Sequence, residues 1–285
     1  MSVRSPLRAA IDAREVVFAP LALDALTARI AEQAGFQAVY VSGGALGYAH
    51  AVSEALLTLD ELVHATRHVV ARSGVAVIAD AGVGFGDAVH MTRTIREIEA
   101  TGAAAVEIED PVAPKRVSHH RGIEHLVAPE EIAAKVEHAV RARTDTHFLV
   151  IARTGAVKNE SFEDAVQRAN LYREAGADLL MLMPATAAQW SDAPKRIKGP
   201  LATISSLDTR RADAWRDLGW SLVVDPFTAQ AVVVDALVTL YGRFMTEGET
   251  GTDRKRILET YRTLSDLAGL ESLYAIEDET TERTP

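Results

Sequence analysis

Eight short apolar runs, separated by seven longer segments, extend almost from one end of this chain to the other. They are "VVFAPLA", "AVYVSG", "VAVIADAG", "AAVEIED", "FLVIART", "ADLLMLM", "LATIS" and "SLVVDP". They are apolar at consecutive positions, as a parallel strand covered on both faces requires. Two of the amphipathic segments between them open on clear helix-start signals. Thr58 has Glu61 three residues on, and Pro129 is followed by Glu130 and Glu131. Four links end in Gly ("QAG", "RSG", "ATG", "EAG"), which suits a helix C-cap. Strand and helix alternating eight times predict an α/β fold, a (β/α)8 TIM-type barrel. The rival, a doubly wound open sheet, usually has fewer strands and a Gly-rich phosphate turn after the first, and "VVFAPLALDA" offers no such turn.

At 285 residues, 48% of them hydrophobic, the chain suffices for one such barrel domain over 1–285. From about residue 227 a C-terminal helical extension follows: an apolar helix, a polar linker and the segment "RKRILETYRTLSDLAGL". The last stretch, 275–285, reads as a disordered tail. A net charge of −10 argues against a nucleic-acid or anionic-membrane partner. The absence of Cys excludes disulfides, thiolate metal sites and cysteine catalysis. The N-terminal residues carry charges throughout, unlike a signal peptide, and no uncharged apolar run reaches roughly 18 residues. A soluble cytoplasmic protein is expected.

Barrels of this type build their sites at the C-terminal ends of the strands. There the sequence places Ser42, Gly43 and Gly44 after strand two, Asp80 after strand three, Glu109 and Asp110 after strand four, and Arg153 and Thr154 after strand five. Acids on neighbouring strand ends suit Mg²⁺, which takes oxygen ligands and keeps several waters. An Arg facing them suits a carboxylate or phosphonate. Lys115 and His119 on the following loop could donate protons or stabilise negative charge. Solvated ion pairs are the alternative. His119, His120 and His125 match no familiar metal spacing.

The stretches "VIADAGVGFG" (77–86), "VEIEDPVAPKR" (106–116) and "IART" (151–154), with "AGFQAVYVSGGAL" and "LLTLDELV" before them, resemble the isocitrate lyase/phosphoenolpyruvate mutase superfamily over roughly residues 7–245. The resemblance implies a Mg²⁺-dependent barrel that cleaves or forms C–C or P–C bonds beside a 2-oxo or 2-hydroxy carboxylate, through an enolate. It also implies a homo-oligomer, tetramer or dimer, with the apolar helix near 229–245 exchanged between subunits. By position, Asp80 falls on the family's metal aspartate and Glu109 on its water-mediated metal glutamate. Ser42, Gly43 and Gly44 fall on the turn that holds the substrate, and Arg153 on the arginine that grips it. Lys115, Arg116, Ser118 and His119 fall on the gating loop, where they are the candidate catalytic residues.

Departures from the pattern narrow the chemistry. Val117 stands where the lyases carry a proton-transferring Cys, whereas Pro114, Lys115 and Ser118 match the Pro-Lys-x-x-Ser of the P–C enzymes. Gly82, Ser53, Gly155 and Met183 replace expected acids, and the Asn-Met-x-Glu stretch after strand seven reads "TISSLD", so Mg²⁺ binding should be weak or lost. Met183 would make the pocket less polar. The expected function is a lyase or decarboxylase acting on a small 2-oxo or 2-hydroxy (di)carboxylic acid through a Mg-stabilised enolate. The alternatives are a phosphonopyruvate-type mutase or hydrolase and a non-catalytic carboxylate-binding relative.

Overall fold

The computed structural model describes residues 3–282. Each of the eight apolar runs is a strand: β1 (Val17–Pro20), β2 (Ala38–Val41), β3 (Ala76–Asp80), β4 (Ala105–Glu109), β5 (Leu149–Arg153), β6 (Leu179–Met181), β7 (Leu201–Ile204) and β8 (Leu222–Asp225). All neighbours pair in parallel, in the order β1-β8-β7-β6-β5-β4-β3-β2. A single bridge from Leu21 to Tyr40 joins the two ends of that order, so the sheet closes on itself. The helices are α1 (Arg4–Asp12), α2 (Ala25–Gln33), α3 (Gly43–Ala49), α4 (Leu59–Val70), α5 (Ala88–Ala100), α6 (Pro129–Ala142), α7 (Ala156–Asn159), α8 (Phe162–Glu174), α9 (Ala187–Arg196) and α10 (Ala212–Leu218), followed by α11 (Thr228–Glu247), α12 (Arg254–Ala268) and α13 (Leu270–Glu279).

Local chemistry accounts for the helix starts. Thr58 and Glu61 form a reciprocal capping box on α4, and Pro129 opens α6. Of the four glycines expected to end helices, Gly35, Gly102 and Gly176 adopt positive φ, while the Gly74 amide instead donates to Glu32.

Two apolar layers follow from the alternation of side chains along each strand. Val39, Val41, Val77, Val106, Val150, Leu180 and Val223 point outward and pack against the helices. Ala38, Tyr40, Ala76, Ile78, Ala105, Leu149, Ile151, Leu179, Met181, Ala202, Leu222 and Val224 fill the interior, with Leu7, Ala10 and Ile11 of α1 in the same cluster. Burying a Leu or Ile side chain stabilises by about 1.5–3 kcal/mol.

The chain divides into two compact units, Met1–Ala229 and Gln230–Pro285. The second is helical, and Val232, Val233, Val234, Leu237, Val238, Tyr241, Phe244 and Met245 of α11 are exposed. Helix α13 continues to Glu279, past residue 275 where the sequence suggests a disordered tail. Residues 283–285 of that stretch lie outside the described residues.

Candidate active site

Strand parity decides which polar side chains meet. Positions 40, 80, 107, 109 and 153 continue the inward-facing series of their strands, beyond Ala38, Ile78, Ala105 and Ile151. Register then sets neighbours: Asp80 lies beside Glu107, and Glu109 beside Arg153. The result is a polar floor at the C-terminal end of the barrel. Asp110 has the opposite parity and leaves the site. It is fully buried behind the sheet, where it accepts from the Gly155 amide at 2.9 Å and the Tyr172 hydroxyl at 3.0 Å.

At the centre stands Glu109, 2% exposed, with Lys115 Nζ at 2.5 Å from Oε1 and Arg153 Nη1 at 3.3 Å from Oε2. Burial alone would raise its pKa, but Lys115 and Arg153 outweigh burial and hold it at about 2. Glu107 behind it behaves oppositely. Its carboxylate accepts from Tyr40 Oη at 2.5 Å and Arg153 Nη1 at 3.2 Å, yet burial and the nearby Asp80 charge push it up to about 7. The Tyr40 hydroxyl is held well above its ordinary range, first by burial and then by Asp80 and Glu107. Arg153 Nη2 faces Glu124 at 3.8 Å, and its Nε is buried with no hydrogen-bond partner.

The loop from Asp110 to Ala128 covers this floor. A bridge between Pro111 and Leu126 ties its base, and residues Val117–Arg121 form a 3-10 turn. Lys115 reaches Glu54 as well as Glu109, and His119 Nε2 lies 3.2 Å from Glu54 Oε1. Burial works against the Lys115 charge, but Glu109 and Glu54 outweigh it and keep the ammonium charged. Burial pushes the Glu54 carboxyl up, with Lys115 opposing. His120 bonds Tyr48 Oη at 3.0 Å and Ser53 Oγ at 2.8 Å, fastening the loop to α3 and to the segment after it.

Of the residues expected from sequence, Lys115, His119, Glu109, Asp80 and Arg153 converge. Arg116 does not, because its side chain is exposed and lines no part of the pocket. The Ser118 hydroxyl also turns away, donating to the Ile123 carbonyl at 3.3 Å within the loop itself. Ser42 caps α3 by accepting from Ala45 N, and the Gly43 amide is already given to Asp80 Oδ2 at 3.0 Å. Gly44 lines the pocket, and a Cβ there would meet Glu54 Oε2 at 2.8 Å. Met183 does not line this pocket. Four participants, Tyr40, Glu54, Glu107 and Glu124, were missed in the sequence. Parity with Glu109 could have found Glu107, and adjacency to Ser53 could have found Glu54.

A pocket of about 290 Å³ opens on this constellation, walled by Tyr40, Gly44, Glu54, Asp80, Lys115, His119, Glu124 and Arg153 with Ile204 and Phe227. Its donors suit an anion, and Lys115 with Arg153 can stabilise charge that develops on a bound oxygen. The acids do not fit a resident magnesium ion in this arrangement. Both Asp80 oxygens accept backbone amides, from Gly43 and Gly82, and Glu54 and Glu109 are held by Lys115. Among the described residues no three Asp, Glu, His or Cys side chains gather as a ligand group.

Comparison with known proteins places this geometry. Residues 7–238 match the family described as phosphoenolpyruvate phosphomutase. The 2-methylisocitrate lyase of Aeropyrum pernix is 38% identical over 269 residues, covering 92% of this chain and 86% of that protein. The 2,3-dimethylmalate lyase of Eubacterium barkeri is 32% identical over 287 residues, covering 97% and 98%. Among solved structures, a phosphonopyruvate hydrolase complex with oxalate and Mg²⁺ superposes with a TM-score of 0.86 at 29% identity, covering 99% of this chain and 100% of that one.

Proposed function

We propose, from the premise that this chain belongs to the phosphoenolpyruvate phosphomutase family of the isocitrate lyase/phosphoenolpyruvate mutase superfamily, that it is a carbon–carbon lyase or decarboxylase. Its substrate on this reading is a small 2-oxo or 2-hydroxy (di)carboxylic acid, cleaved through an enolate. The observation that carries the proposal is the pairing of Lys115 and Arg153 over one buried pocket at the barrel mouth.

In this mechanism Arg153, which lines the pocket, orients the substrate carboxylate. Lys115, carried in by the loop, faces the oxygen on which enolate charge develops. Tyr40 lines the pocket and its hydroxyl donates to Glu107; in this mechanism the pair takes the proton from a substrate hydroxyl or returns one to the enolate. It supplies the proton transfer that Val117 cannot. His119 and Glu54 hold the loop closed over the reacting atoms and keep water out. The magnesium ion implied by the resemblance would add positive charge beside Asp80 and Glu109; the donor set speaks for a weak or lost site, and no step depends on it.

The names of two relatives, both lyases, support cleavage of a substituted acid. The phosphonopyruvate hydrolase likeness supports the P–C alternative, but Ser118, the residue that matched those enzymes, is turned into the loop. Proton and phosphorus NMR of the protein with oxaloacetate, 2-methylisocitrate, 2,3-dimethylmalate and phosphonopyruvate tests the proposal. The expected result is loss of a C–C substrate, abolished in Lys115→Met and Arg153→Met. Consumption of phosphonopyruvate alone would establish the P–C alternative. No turnover, with a carboxylate still bound, would make the chain a binding protein.

A further inference from the structure

Beside the polar pocket lies a second cavity of about 670 Å³, and Glu54, Asp80 and Lys115 line both. Its other walls differ in kind. Leu57, Leu62, Val83, Phe85, Val112 and Val127 make them largely apolar. The cavity is a cleft open in part to solvent. It falls within the roughly 300–1,000 Å³ typical of small-molecule sites.

On the side where the cavity meets the shared Glu54, Asp80 and Lys115, its wall includes Gly82. Its φ of +51° and the space around it leave an ideal Cβ with a single neighbour within 4 Å, Glu109 Oε1 at 3.6 Å. A side chain there would occupy the junction between cavity and acids; glycine leaves it open. On the α6 wall stands Lys135, 1% exposed. The hydrogen bond it makes is to the Val83 carbonyl at 3.4 Å, longer than the usual 2.7–3.2 Å, for a group with three donors. Glu131 and Asp87 line the same cavity and act on the Lys135 ammonium through space, with no ion pair to it among the described residues.

We propose, resting on the carboxylate-cleaving function above, that this cavity receives an apolar arm of the substrate, attached next to the reacting carbon, and that Lys135 binds a neutral acceptor oxygen carried on that arm. The acid group sits in the polar pocket and the arm passes Gly82. A hydroxyl, ether or carbonyl fits better than a second carboxylate, because Glu131 and Asp87 would repel an anion there. The substrate class is therefore a medium-chain, oxygen-bearing 2-oxo or 2-hydroxy acid rather than the bare four-carbon diacid.

Calorimetric titration with malate and 3-alkylmalates, from ethyl to hexyl, each with and without a terminal hydroxyl, tests this. Affinity should rise about fourfold per methylene. Val127→Phe should flatten that series while leaving malate binding unchanged, with Leu57→Trp as a second filler should the first not fold. The terminal hydroxyl should add about tenfold, lost in Lys135→Met while the alkyl series persists. Malate binding with no gain along the series would overturn the arm and leave the proposed function standing. Failure of malate, oxaloacetate and every member of the alkylmalate series to bind would overturn both.

Discussion

Glu107 offers a quantitative test of how the site holds its charge. The group is fully buried and titrates at about 7 rather than 4.5, because burial and Asp80 disfavour its ionised form. Between those two pH values the folded protein holds a proton that the unfolded chain has released. Stability is therefore fully present below pH 4.5 and is lost as pH rises through about 7. At about 1.4 kcal/mol per pH unit, the loss amounts to about 3 kcal/mol. Glu107→Gln keeps the shape and an oxygen for Tyr40 Oη but cannot titrate. Urea unfolding at fixed protein concentration, in chelator, near pH 5 and near pH 8, compares the two proteins. The variant should be equal to or about 1 kcal/mol weaker than the parent near pH 5, where an amide nitrogen meets Arg153. Near pH 8 it should be the more stable by about 2–3 kcal/mol. Other buried acids, Glu54 and Glu124, shift in the same direction and contribute equally to both proteins. Parallel pH profiles for parent and variant would refute the assignment of a neutral carboxyl to position 107.

Three further outcomes are expected. Substrate-free protein should show no calorimetric Mg²⁺ binding tighter than about millimolar, whereas Gly82→Asp, which adds a carboxylate beside Glu109 at a φ that Asp tolerates, should tighten it at least about tenfold. Glu54→Gln should release His119 and leave Lys115 held by Glu109 alone, so that trypsin cleaves after Lys115 or Arg116 several-fold faster than in the parent; equal rates would mean that the loop is held by other contacts. Light scattering should give a mass of two or four chains, and Val238→Glu on the exposed apolar face of α11 should lower it; an unchanged mass would remove that face from the interface.

The barrel was legible because its signals are local and repeated: consecutive apolar residues for two-sided strands, and caps such as Thr58 for the helices. Site residues were legible where a strand end fixes them. Asp80, Glu109 and Arg153 sit at the last positions of β3, β4 and β5, and parity sends them inward. The same rule, applied one step further back, would have exposed Glu107 and turned Asp110 away. The loop was harder. Lys115 rather than Arg116 faces the pocket, where it meets Glu54 as well as Glu109, and spacing within the loop carries no record of a partner as distant in sequence as Glu54. Ser118 matched a motif, yet the 3-10 turn gives its hydroxyl a nearer partner.

What looks in the sequence like a site short of acids is, in three dimensions, a site rich in them. Gly82 and Ser53 lack the carboxylates expected there, but Glu54 swings into the pocket beside Ser53 and Glu107 rises from the barrel interior. Glu54, Asp80, Glu107, Glu109 and Glu124 face two permanent cations, Lys115 and Arg153. Such an excess cannot all be ionised in a buried pocket. Glu109, touching both cations, keeps its charge, while Glu107, Glu54 and Glu124 are pushed toward the protonated form. Protonation decides what such acids can do: ligands of a cation need to be ionised, whereas a neutral buried carboxyl is a proton source. On the proposed lyase reading, in which Val117 cannot transfer a proton, Glu107 behind Tyr40 is placed to provide one.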